Sequence, residues 1–198
     1  MSALTLSGCL AARQDQRVPT EAGATLVELL QVVAIMGTLL FLGVPSFLRL
    51  VDSTRLTAYA NDFMRSMYLA RSDALKRRGR AVLCKSTNGT SCAADGGWEQ
   101  GWVVFRDANN NGVLDAGEIV LQHAPALPTG FRFSGNATVA SYISYAGTGR
   151  TRQTGGGFQA GTLTLCKVGA EALESRQIVI NNAGRARVFR VGDENCPR

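Results

Sequence analysis

The stretch GATLVELLQVVAIMGTLLFLGVP, residues 23–45, decides how the rest of the chain is read. Ala24 to Val44 is 21 residues, nearly all apolar. At about 1.5 Å per residue, a helix of that length matches the ~30 Å hydrocarbon core of a bilayer. One carboxylate, Glu28, stands near its start. An acid costs roughly 2.5–3.5 kcal/mol at mid-bilayer on insertion scales, so Glu28 needs a reason to be there.

Working outward, Pro45 removes an N–H and clashes with the preceding turn, so it should kink or loosen the helix. Beyond it, Leu56, Tyr59, Phe63, Met67, Ala70 and Ala74 recur at steps of three or four, the pattern of one apolar stripe. Charges such as Arg49, Asp52, Arg65 and Asp73 are expected on other faces. Lys76-Arg-Arg-Gly79 should end the helix, with cations at its C-terminus and glycine at the stop. From Arg80 the period changes to two. Short runs beginning at Ala81, Trp102, Ile119, Gly130, Val139, Thr162, Arg176 and Arg187 read as strands, with Gly- and Asn-rich turns between them. One helix followed by many short strands predicts an α+β domain with an antiparallel sheet, or two small sheets. The expected organisation is a leader over 1–23, a membrane or filament-core helix over 24–45, its amphipathic continuation over 46–79 and a β-rich domain over 80–198.

The 198 residues suffice for one domain plus an anchor, and the net charge of +6 favours an anionic partner. The single histidine, His123, beside Ala124-Pro125, rules out a histidine-rich metal site and lacks a nucleophile motif, so catalysis is not expected. Of five cysteines, Cys9 would leave with the leader. Cys84, Cys92, Cys166 and Cys196 then suggest two disulfides in an exported domain. Spacing favours Cys84–Cys92 and Cys166–Cys196, although three connectivities remain open. Leu6-Ser-Gly-Cys9 superficially matches a lipoprotein box, but no apolar run precedes it.

Gly23 before the run, Glu28 at the fifth position after it and Pro45 at the twenty-second together resemble the processing site of type IV prepilins and type II secretion pseudopilins. Ala24 departs from the usual phenylalanine, and the basic charge before Gly23 is weak. Further along, Gly97-Trp-Glu-Gln-Gly-Trp-Val-Val-Phe-Arg-Asp-Ala-Asn-Asn-Asn-Gly112, Asp115-Ala-Gly-Glu118, Leu165-Cys166, Gly184-Arg-Ala-Arg187 and Cys196-Pro197 resemble the FimT/GspH-like minor pilins. The resemblance covers 23–198 and leans toward the type IV pilus members. It implies a pilin fold, cleavage after Gly23 by prepilin peptidase and N-methylation of Ala24. It also implies a single-pass anchor in the inner membrane with a periplasmic globular domain, and packing with other pilins in a filament. Cleavage would create an α-amine with a reference pKa of about 8, cationic at neutral pH, which Glu28 of a neighbouring subunit can pair with.

Two further constellations stand out. Asp107, Asn109, Asn111, the Val113 carbonyl, Asp115 and Glu118, with Gly112 at the turn, fall on the oxygen-ligand positions of an EF-hand loop and would suit Ca²⁺. The same residues also read as a plain β-turn loop, because the flanks are strands. Gly184-Arg185-Ala-Arg187, with Arg190, is the second. On a strand Arg185 and Arg187 share a face, and two guanidiniums there can grip successive phosphates. The resemblance implies DNA binding through this motif; Arg150 and Arg152, in a glycine-rich loop, would extend the patch, as would Lys167 and Arg176. The competing reading is an edge strand whose charges block aggregation. Trp98 and Trp102 are expected to pack the sheet onto the helix.

Overall fold

The computed structural model describes residues 23–169, 175–192 and 196. The expected leader before Gly23, with Cys9, and Pro197 lie outside the described residues. The chain divides into two units at Gly43/Val44. Helix α1 runs from Leu26 to Arg77, with Pro45 inside it. In the first unit its side chains are exposed throughout, and the helix is long and apolar enough to cross a membrane.

Among the described residues, the second unit holds the rest of α1 and eight strands: β1 (Arg80–Lys85), β2 (Trp102–Asp107), β3 (Val120–Ala124), β4 (Phe131–Gly135), β5 (Tyr142–Tyr145), β6 (Gly161–Lys167), β7 (Ser175–Ile180) and β8 (Ala186–Val191). They form two antiparallel four-stranded sheets, ordered β3-β2-β1-β5 and β4-β6-β7-β8. Both pack on the helix stripe, where Leu56, Ala60, Phe63, Met67, Ala70 and Ala74 are buried with Leu83, Val104, Leu163 and Ile178. Phe63 is the hub, meeting Trp98, Trp102 and Phe133 edge-on at 5.0, 5.1 and 4.8 Å. The buried indoles are satisfied: Trp102 donates to Ser66 Oγ (2.9 Å) and Trp98 to the Val139 carbonyl (3.0 Å).

The structure departs from the periodic reading in four places. In β1, five consecutive residues are buried rather than every second one. On its outer face, Val82 and Cys84 join Val103 and Phe105 of the paired strand β2 in a second cluster, capped by Leu114 from the 107–118 loop. The fifth strand starts at Tyr142, not Val139, because residues 136–139 turn, with the Val139 N–H bonded to the Asn136 carbonyl. At the end of α1, Arg78 takes the left-handed conformation (φ 53°) rather than Gly79.

Asp52 is the fourth departure. It is buried rather than solvated, because Lys167 of β6 reaches it at 2.5 Å. Beside that pair, Arg176 of β7 is buried and bonds Ser53 Oγ (2.9 Å) and Thr57 Oγ1 (3.2 Å). Two cations of the second sheet are thereby spent on holding the helix. Cys84–Cys92 and Cys166–Cys196 are disulfide-bonded.

Candidate functional site

Gly23 and Ala24 are exposed ahead of the helix. Thr25 caps it: its Oγ1 accepts the Glu28 N–H at 3.3 Å, and its carbonyl accepts from Leu29. Glu28 therefore lies in the first turn, where a carboxylate is favoured by the unpaired N–H groups and the helix dipole. The Thr-x-x-Glu spacing of a capping box was the available sequence signal for Thr25.

The Gly-Arg-Ala-Arg motif runs from the β7–β8 turn (Gly184, Arg185) into the start of β8 (Ala186, Arg187). Gly184 has φ +74°, and a Cβ there would lie 2.2 Å from the Gly149 carbonyl oxygen, so only glycine fits. Arg71 of α1 donates to the carbonyls of Gly184 (2.7 Å) and Ala183 (3.1 Å), clamping the turn to the helix. Tyr145 lies beneath, its ring 3.1 Å from that same virtual Cβ. Burial raises the Tyr145 pKa well above its ordinary value, against a smaller opposing effect of Arg71. Thr151 Oγ1 lies 2.7 Å from the Gln159 carbonyl and 2.9 Å from the Asn181 carbonyl. That one hydroxyl ties together the segments bearing Arg150 and Arg152, Phe158, and the turn before Arg185.

Arg185, Arg187, Arg150 and Arg152 are all exposed. Arg190 is exposed too, but on the other face of β8: it pairs in register with buried Arg176 and lines a cleft with Ser53, Thr57 and Arg65 of α1. Strand alternation separates it from Arg187, so it does not extend the same surface. Lys167 and Arg176 are excluded from that surface by their bonds to the helix.

In the 107–118 loop, buried Asp107 accepts from the Asn111 and Gly112 N–H groups at 3.1 and 2.9 Å. The side-chain amides of Asn109 and Asn111 both donate to Asp115 Oδ2, at 2.8 and 2.7 Å. Glu118 accepts from the Ala108 and Asp115 N–H groups. The loop's oxygens are thus engaged by its own donors, and Leu114 plugs the sheet face beneath. Among the described residues, no cluster of three His, Cys, Asp or Glu side chains is arranged to hold a metal.

His123 is exposed on β3, its ring against Gly89, and lines a cleft of about 270 Å³ with Tyr59, Asp62 and Trp102. Further along α1, Asp73 forks with Arg106 of β2 (2.8–3.2 Å), and this hydrogen bond raises the Arg106 pKa further. Sequence reasoning missed the Arg71 clamp and both helix-to-sheet ion pairs, because nothing local distinguishes them from other helix charges.

A family model described as type II transport protein GspH matches residues 59–184. Among solved structures, the type IV minor pilin FimU of Pseudomonas aeruginosa superposes with a TM-score of 0.51 at 17% identity, covering 71% of this chain and 92% of that one. The minor pseudopilin EpsH of the Vibrio cholerae type 2 secretion system gives 0.47 at 12% identity, with 68% and 95% covered. Among curated proteins, none matches the chain in sequence.

Proposed function

Since the chain belongs to the GspH family, a type IV pilin-family group, we propose that it is a minor subunit of a type IV pilus or type II secretion pseudopilus and acts in filament assembly. The observation that carries this is the helix from Leu26 to Val44, exposed throughout and apolar apart from Glu28, Gln31 and Thr38, with Glu28 capped into its first turn. Such a surface needs lipid in the precursor and neighbouring helices in a filament. Prepilin peptidase cuts after Gly23, removing residues 1–23, and Ala24 is N-methylated. Residues 24–45 then form the filament core, 46–79 carry the helix onto the sheets, and 80–198 form the displayed domain. Before assembly the chain is a single-pass inner-membrane protein with that domain in the periplasm. Glu28 pairs with the Ala24 amine of a neighbouring subunit. Replacing Glu28 by Ala should leave membrane insertion intact, measured by fractionation, and reduce recovery in sheared filaments. Normal recovery would sink the assembly role of Glu28.

A second reading, DNA capture by the same subunit, is favoured by the exposed Arg185 and Arg187 on a hairpin whose turn Arg71 and Thr151 hold in place. Binding there would be to the phosphate backbone and weaken with salt, by about 0.9 in log–log slope per duplex phosphate neutralised. Changing Arg185 and Arg187 to Gln should abolish retardation of duplex DNA at low salt; retention of binding would place the interface elsewhere.

A further inference from the structure

The eight phenylalanines are unevenly placed. Phe41 and Phe47 lie on the exposed anchor helix, whereas Phe63, Phe105, Phe131 and Phe133 are buried in the second unit. The remaining two, Phe158 and Phe189, are 65% and 46% exposed. Both stand beside exposed arginines. Phe158 is the bridge partner of Arg152. Phe189 is two residues after Arg187 on β8, so Arg187 and Phe189 share the strand's outer face, opposite Val179 and Gln177 of β7. The Thr151 hydroxyl brings the Phe158 and Arg152 segments against the turn that leads into Arg185.

The segments that bear these side chains hold no acid, although the acidic 107–118 loop lies against Thr154. Between Glu118 and Glu171 the sequence holds no Asp or Glu, and none lies among residues 175–192. Arginine and exposed aromatic rings therefore alternate on a surface whose own segments carry no acid. An exposed phenyl ring adds nothing to gripping duplex phosphates, because the bases of a duplex are already stacked on one another. It does offer a face to an unpaired base, and base–aromatic stacking contributes about 1–3 kcal/mol per base.

From this we infer that the surface is built for single-stranded nucleic acid: Arg185, Arg187, Arg150 and Arg152 track the phosphates while Phe189 and Phe158 stack bases. The inference rests on the nucleic-acid reading of the Gly-Arg-Ala-Arg motif and specifies its ligand. Binding is sequence-tolerant, because every base has a stacking face.

The test is fluorescence anisotropy with the full-length protein in neutral detergent at about 50 mM salt, using labelled oligothymidine of about 30 nucleotides and a duplex of similar length. Oligothymidine should bind at least about five-fold more tightly than duplex. Phe189→Ala and Phe158→Ala should each weaken oligothymidine roughly five-fold or more while duplex binding is unchanged. Phe189→Trp should keep the affinity, which separates stacking from a folding defect. A preference for duplex, or oligothymidine binding indifferent to both alanine changes, overturns the stacking role and leaves phosphate binding by Arg185 and Arg187 standing. Loss of filament incorporation in the alanine variants with unaltered strand binding assigns the two rings to a neighbouring subunit and overturns it as well. If neither probe binds, the nucleic-acid reading itself falls, and this inference falls with it.

Discussion

Replacing Gly184 by Ala tests the architecture of the β7–β8 turn directly. Two penalties add. The left-handed φ of +74° costs an L-residue about 1–2 kcal/mol. The new methyl would also sit 2.2 Å from the Gly149 carbonyl oxygen, which is backbone and held by the turn in which Gly149 N–H bonds Ala146. Relieving that overlap costs roughly another 1–3 kcal/mol, in the range of overpacked cores. The sum of about 2–5 kcal/mol corresponds to a fall in Tm of roughly 5–15 °C for a chain of this size. Gly130→Ala is the control: φ is +92°, but nothing lies within 4 Å of the added Cβ, so only the conformational cost of about 1–2 kcal/mol applies. Tryptophan fluorescence is a suitable reporter, since Trp98 and Trp102 both sit in the core of the second unit. The expected order is wild type, then Gly130→Ala, then Gly184→Ala, with the last also weakening nucleic-acid retardation. Equal shifts for the two variants would refute the contact between the 146–150 turn and the hairpin, and with it the grouping of Arg150 and Arg185 on one surface.

Phe63→Ala empties the hub of the aromatic cluster and should cost about 3–5 kcal/mol in urea unfolding; a loss below about 1 kcal/mol would mean that the rings do not meet there. Tyr145 has its pKa raised in the folded state, so its contribution is intact below the unfolded value of 10.0 and is lost as pH rises above it. Stability should therefore fall above that pH, and less so in Tyr145→Phe; identical pH profiles would contradict the burial of the phenol. Calorimetric titration with Ca²⁺ up to about 1 mM should give no heat, because Asp107, Asp115 and Glu118 already accept the loop's own N–H groups; saturable binding would show that the loop opens for the ion.

The apolar run with its single acid, Pro45 and the three-four stripe fixed a membrane-length helix continuing into an amphipathic one. Periodicity carries that information locally, as does the turn chemistry that marks most strands. The family was also legible, because Gly23, Glu28 and Pro45 combine with motifs spread over the globular part. Tertiary structure alone decided which cations are free. Asp52, Arg71, Asp73, Lys167 and Arg176 look like ordinary solvated charges in sequence. Their partners lie 33 to 123 residues away in the chain. Burial with a distant partner removes Lys167 and Arg176 from any ligand surface, strand alternation turns Arg190 to the opposite face, and the Thr151 junction assembles Arg150, Arg152, Phe158 and Arg185 from separate segments. Local pattern sets the face of an element; only the packing of distant elements sets what that face meets.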